Sequence, residues 1–186
     1  FSIDAAGVWT YKLNSAAAVV QQLTTGQTLT DSFTVASADG ATAIVAVTIN
    51  GTNDAPVMTE ATITLRVGEV VVLSPALVGA ADVDGPQDNL TFTVTDVVNG
   101  HFEQAGHPGV MISNFSYTDL AAGRVRFVNS GNGVAPAFRV AASDGSLTSA
   151  PLDARVVFDT SSVIDVAVAA VIVEPLANHG SDGAGP

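Results

Sequence analysis

Two ten-residue stretches constrain this chain more than anything else in it: "DSFTVASADG", residues 31–40, and "PAFRVAASDG", residues 136–145. Phe33 recurs as Phe138, Val35 as Val140, Asp39 as Asp144 and Gly40 as Gly145. The offset, about 105 residues, is the size of one immunoglobulin-like sandwich, and it also carries Asp54 onto Asp159. A repeat of that length, built from alternating apolar and polar residues, predicts an all-β fold of tandem immunoglobulin/cadherin-like Greek-key β-sandwiches. Unit two runs from about residue 56 to 160. Unit one, residues 1–55, then holds only the C-terminal half of a sandwich, because a whole one needs about 50 residues more. Residues 161–186 remain as a tail.

The strand pattern is dense. "GVWTYKL", "DSFTVAS", "TAIVAVTIN", "TITLRV", "NLTFTVTDV", "GRVRFVN", "AFRVAAS" and "DARVVFD" alternate in short runs broken by Gly, Asn and Asp. In "VVNGHF" the pair Asn99-Gly100 stands between two such runs and predicts a hairpin. "SAAAVVQQL", residues 15–23, is the one helical stretch, a crossover of one or two turns. Half a sandwich exposes an apolar face and a bare edge. The tail stretch "SSVIDVAVAAVIVEP" alternates well enough to supply a missing strand, in this chain or a neighbour, giving a dimer through unit one. The plainer alternative is that it begins the next module.

Charge excludes several classes. The 186 residues carry 18 acidic and 6 basic side chains, a formal net charge of −12. The lone lysine, Lys12, leaves nothing to cluster on phosphates, which argues against nucleic acid and against an anionic membrane surface. Apolar residues, 47% of the chain, suffice for packed cores. The longest apolar run, "VAVAAVIV", is far short of the roughly 20 residues of a membrane span. No Cys is present, so disulfides and thiolate sites are excluded. "FSIDAAGVWTY" lacks the order of a signal peptide, and the chain reads as an internal piece of a longer protein.

The first half-unit ends in "INGTNDAPVM", and residues 1–56 resemble the C-terminal half of a VCBS repeat. The resemblance rests on "GVWTYKL", "AVVQQLTTGQTLTDSFTV", the "DG" turn and the closing "INGTNDAP". Residues 57–160 resemble a cadherin-like repeat of the CSPG type, through "LRVGE", "AADVDG", "LTFTVTDVVNGHF", "FSYTDLAAGRVRFVN" and "FRVAASDG". The resemblance implies a non-enzymatic, calcium-stiffened module from a large secreted or surface-bound bacterial adhesin of the RTX type. Such proteins are often exported by type I secretion, and the partners implied are neighbouring repeats of the same chain.

Candidate chemistry lies at the junction. In a Greek-key sandwich the entry point, an early loop and the F–G turn meet at one end. For unit two these are Asn53-Asp54, the loop "ADVDGPQD" with Asp82, Asp84 and Asp88, and the "SDG" turn with Asp144. Asp31, at the exit end of unit one, is a further candidate. Two carboxylates about 5 Å apart repel by roughly 3 kcal/mol at an effective dielectric near 20, a cost that a shared cation removes. Oxygen donors without Cys or clustered His select Ca²⁺. Cadherin-type junctions are similar, with an Asn-Asp linker, an Asp-x-Asp loop and an F–G Asp sharing calcium. Ordinary turn formation explains Asp39 and Asp144 equally well. At the far end of unit two the pattern departs, with Pro136 in place of Asp31 and "FDTS" in place of "NDAP".

Other chemistry is weakly signalled. His101, His107 and His179 have no metal-ligand spacing, although His101 and Glu103 share a strand face with His107 close by. "DLAAG", residues 119–123, reads as an ordinary turn between strands. No nucleophile elbow, P-loop or dinucleotide fingerprint occurs. Trp9 and Tyr11 share a face, for core packing or for stacking on a sugar. The functional expectation is a stalk or spacer in adhesion. The alternatives are a module binding a glycan or host protein, and an ancillary domain of a secreted hydrolase.

Overall fold

The computed structural model describes residues 1–4 and 6–162, and its regular structure is mostly strand. The tail expected over residues 161–186 lies outside the described residues from residue 163 on. Unit one contributes β1 (Ser2–Ile3), β2 (Trp9–Thr10), the single-turn α1 (Ala18–Gln21), β3 (Thr28–Ala36) and β4 (Thr42–Asn50). Unit two opens with β5 (Val57–Val67), β6 (Val70–Val72), β7 (Val78–Ala81) and a 3₁₀ turn at Gln87–Asn89. It continues with β8 (Thr91–Val98), β9 (Gly100–Gln104), β10 (Met111–Ile112), β11 (Asn114–Ser116) and α2 (Tyr117–Ala121). β12 (Val125–Asn129), β13 (Ala137–Ser143), β14 (Leu152–Asp153) and β15 (Arg155–Ser162) complete it.

Unit two forms three sheets, ordered β10-β9-β12-β6, β11-β8-β13-β14 and β15-β5-β7. Alternation dictates which residues enter the space between them. In β12, Val125, Phe127 and Asn129 are buried while Arg126 and Val128 are half-exposed, the period of two that a pleated strand imposes. Phe102 from β9 meets Phe138 from β13 edge-on, with centroids 4.9 Å apart, and Phe127 edge-on at 5.1 Å. Phe115 and Phe92 extend this aromatic contact into the second sheet. Ile63, Leu65, Val78 and Ala80 add the face of the third. Fully burying one Phe is worth about 1.5–3 kcal/mol, so this cluster holds the sheets together.

Asn99-Gly100 is not a hairpin turn. β8 pairs with β11 and β13, while β9 pairs with β10 and β12, so the chain changes sheets at this point. Asn99 has a φ of 56°, the left-handed conformation that Asn tolerates. Its Nδ2 donates to Ala135 O, and its Oδ1 accepts from Asn132 Nδ2. A Cβ on Gly100 would collide with the Phe127 ring and sit 2.7 Å from Val128 O. Only Asn99 takes the left-handed conformation of an Asn-Gly turn, and hydrogen bonds and close packing make the site a corner between sheets.

The main element of unit one is a hairpin of two nine-residue strands in full register, from Thr28↔Asn50 to Ala36↔Thr42. Its Thr-rich face is open. Leu29, Ile49, Phe33 and Val45 lie on the other face. Phe1 stacks on Phe33 at 3.6 Å, and Trp9 meets the same ring edge-on at 6.3 Å. Of its described apolar side chains only Ile49 is buried, and Trp9 remains 49% exposed. The aromatics thus cover Phe33 without closing a core, and the expected "GVWTYKL" strand shortens to Trp9–Thr10. In unit two the repeat-equivalent Phe138 is 2% exposed. The "DLAAG" segment forms α2 with its flanks, capped by a reciprocal Ser116–Asp119 pair.

Candidate functional site

The linker between the units lies on unit two. Asn53 Nδ2 donates to Asp144 Oδ2 at 2.7 Å and to Asp54 O at 2.9 Å. The Asp54 N–H donates to Asp84 Oδ2 at 3.1 Å, and the Asp84 N–H donates to Asp82 Oδ1 at 3.3 Å. These residues surround a cavity of about 170 Å³ lined by Asn53, Asp82, Asp84, Gly85, Asn89, Asp144, Pro86 and Thr24. No Lys or Arg is among the described residues that line it.

Local structure explains each position. The 82–84 loop follows β7, and alternation leaves Asp82 and Asp84 half-buried while Val83 between them is 47% exposed. Asp144 sits in the turn after β13. Its Oδ1 accepts the Ser146 and Leu147 N–H groups at 2.6 and 2.7 Å, which leaves Oδ2 for the cavity side. The repeat-equivalent Asp39 does only the first job, accepting from Ser37 and from the Ala41 N–H. Turn formation and a place at the cavity therefore coexist in Asp144 and separate in Asp39.

Electrostatics follow from this crowding. Burial, reinforced by a hydrogen bond to Asp84 and by the charges of Asp84 and Asp144, raises the Asp82 carboxyl above its ordinary value. Burial also pushes Asp144 upward, but the Asn53 amide and the Leu147 and Ser146 N–H groups outweigh it and leave Asp144 lowered. Three carboxylates thus share a site where, among the described residues, N–H donors supply the relief. Their chemistry, hard oxygens with one amide and no sulfur or imidazole, fits an alkaline-earth cation. As they stand, however, no group of three or more His, Cys, Asp or Glu among the described residues is gathered closely enough to hold a metal ion. A Cβ on Gly85 would lie 3.3 Å from Asp82 Oδ2, so the loop backbone leaves that carboxylate little room on one side.

Of the six residues expected from sequence, Asn53, Asp82, Asp84 and Asp144 line the cavity. Asp54 joins through its backbone and is not among the lining residues. Asp31 is not brought there. It sits in mid-strand opposite Val47, where it accepts the Tyr11 hydroxyl at 2.9 Å, a bond that raises the Tyr11 pKa. Asp88 is exposed and its neighbour Asn89 takes the lining position. Thr24 and Asn89 escaped sequence reasoning; Asn89 had a signal in closing "DGPQDN", and Thr24 had none. Asp159, the repeat equivalent of Asp54, accepts from Ser161 and lies 3.4 Å from Arg66.

The His101–Glu103 pair proves to be part of an ionic cluster. Glu103 is 3% exposed, accepts the Gly109 N–H and the Arg126 Nε at 2.6 Å, and lies 3.3 Å from His101 Nε2. The Gly109 bond, opposed by burial and aided by Arg126 and His101, lowers its carboxyl. Arg126 faces Glu103 directly across the β9–β12 ladder.

Comparison with known proteins places unit two. The chain is 31% identical over 75 residues to "Extracellular matrix protein 3" of Lytechinus variegatus, covering 40% of this chain and 2% of that protein. It is 32% identical over 68 residues to "FRAS1-related extracellular matrix protein 2" of Homo sapiens, covering 36% of this chain and 2% of that protein. It is 30% identical over 113 residues to "Chondroitin sulfate proteoglycan 4" of Mus musculus, covering 59% of this chain and 5% of that protein. The matches thus span a small fraction of these relatives' length. Residues 56–159 match the family model described as Cadherin-like, and the chain belongs to that cadherin-like family.

Proposed function

We propose that this chain is a spacer module of a large secreted or cell-surface protein, of the bacterial adhesin kind, whose junction is stiffened by Ca²⁺. The observation that carries the reading is the meeting of Asn53, Asp82, Asp84 and Asp144 at one cavity between linker and sandwich, with no cationic side chain lining it among the described residues. In this reading residues 1–55 are the second half of a VCBS-like sandwich, and no catalysis is assigned. Bound Ca²⁺ supplies the positive charge that the carboxylates lack. The residues do the rest: Asp82 and Asp84 present oxygens from one loop, Asp144 from the F–G turn, and Asn53 ties the linker to them. Extracellular sites of this type have dissociation constants of about 0.1–1 mM, suited to millimolar calcium outside cells.

Melting in EDTA and in calcium tests it. At a calcium concentration about 100 times the dissociation constant the folded state gains about 2.7 kcal/mol, a plain rise in Tm. Identical melting curves and identical small-angle scattering in the two buffers defeat the reading. A second reading, a glycan-binding face, has one observation in its favour: Trp9 is half-exposed beside the Phe1–Phe33 stack. Glycan binding abolished by Trp9→Ala, with calcium response unchanged, would favour it.

A further inference from the structure

The linker does not approach unit two alone. A turn of unit one, Leu23–Gln27, presses against it, and the contact is made possible by one missing side chain. A Cβ on Gly51 would collide with the Thr24 carbonyl oxygen and lie 2.5 Å from that of Leu23. Both are backbone atoms, which cannot rotate aside. The Gly51 N–H donates to Gln27 O at 2.9 Å, and two residues on the Asn53 N–H donates to Thr25 Oγ1 at 3.1 Å. The turn is itself braced, with Gln27 Oε1 accepting the Thr24 N–H at 3.0 Å and the Gln27 N–H returning to Thr24 O at 3.0 Å. Thr24, thus held, forms one wall of the cavity whose other walls come from Asn53 of the linker and from unit two.

We propose that Gly51 is the positioning residue of the junction: its bare backbone lets the Leu23–Gln27 turn clamp the linker, set Asn53 against Asp144 and close the cation cavity with Thr24. The inference rests on the calcium reading for its second half, and on geometry alone for the clamp. It follows that the cavity belongs to both units. Any side chain at Gly51 pushes the turn off the linker, withdraws Thr24, and leaves Asn53 without its Thr25 anchor, although no oxygen facing the cavity has been changed. Loss of an outer-shell contact typically lowers metal affinity about 10–100-fold.

The test compares the whole chain with its Gly51→Ala and Thr25→Ala variants. The latter removes the Asn53 anchor without adding bulk, so it remains informative if Gly51→Ala folds poorly. Calcium titration by calorimetry is paired with hydrogen exchange of the Gly51 and Asn53 amides in EDTA. Expected results are about tenfold weaker calcium binding in Gly51→Ala, a smaller loss in Thr25→Ala, and faster exchange at both amides in Gly51→Ala. Exchange at residues 91–143 stays unchanged. Should wild type bind no calcium, the calcium reading fails while the exchange data still judge the clamp. Wild-type affinity and wild-type amide protection in both variants overturn the proposal.

Discussion

Asn53 Nδ2 and Asp144 Oδ2 are 91 residues apart in sequence and 2.7 Å apart in space. The neutral amide that leaves unit one thus stabilises the carboxylate of the F–G turn of unit two by hydrogen bonding. The same nitrogen also donates to the neighbouring Asp54 O, which fixes the side chain against its own backbone.

Replacing it exposes that role. Asn53→Ala strips Asp144 of its strongest side-chain donor, and hydrogen bonds to charged acceptors contribute about 1.5–3 kcal/mol when buried and less when partly exposed. In EDTA the variant is expected to lose about 1 kcal/mol by urea unfolding, and the Asp144 carboxyl titrates closer to its ordinary value in NMR. Unchanged titration of Asp144 would show the bond to be incidental.

Asp82 gives a pH signature of opposite sign. Its carboxyl is raised in the folded chain, chiefly by burial and then by Asp84, so the folded state holds a proton that the unfolded chain has released. Stability contributed by Asp82 therefore falls as pH rises from the ordinary carboxyl value through the raised one. Asp144 and Asp119 are lowered, so their contributions are present at neutral pH and are lost as pH falls through their folded values. Asp82→Asn in EDTA should raise neutral-pH stability by under about 1 kcal/mol, with the acid limb unchanged. In calcium the same variant should lose most of the cation-induced rise in Tm. Destabilisation in EDTA at pH 7 would contradict this.

Glu103 is a buried anchor rather than a metal ligand. Glu103→Gln keeps the shape but discards the charge that holds Arg126 and draws in the Gly109 N–H. Hydrogen exchange should accelerate at Gly109, while the unfolding free energy acquires a weaker dependence on pH below the ordinary glutamate range. Persistence of slow Gly109 exchange would mean the loop is held by packing alone.

The two repeat-equivalent phenylalanines should differ in cost. Phe138→Ala empties a place 2% exposed among Phe102 and Phe127, and cavities of that kind cost about 3–5 kcal/mol. Phe33→Ala frees only Phe1 and Trp9, which are already 60% and 49% exposed. Global melting should fall sharply in the first variant and barely move in the second, with Trp9 fluorescence alone reporting the change. Equal losses would show that unit one has a closed core after all.

Local pattern determined a good deal. β4 and β13 fall on the residues that alternation picked out, because a pleated strand sends side chains to opposite faces with a period of two and needs no distant information. The Asp-x-Asp loop, the Asn-Asp linker and the F–G Asp were likewise legible, since each is a short polar insert at a strand end. Tertiary structure decided what those signals became. Asn99 carried the left-handed conformation such a turn needs, yet whether the chain turned back or turned a corner depended on which strands β8 and β9 paired with. Asp31 looked like Asp144's companion until register set it opposite Val47 and under Tyr11. Thr24 and Gly51 had no signal at all, because a backbone-to-backbone contact leaves no side-chain pattern to read. Short-range sterics and hydrophobic period are written along the chain, whereas strand partnership and close approach are settled only when distant segments compete for the same space.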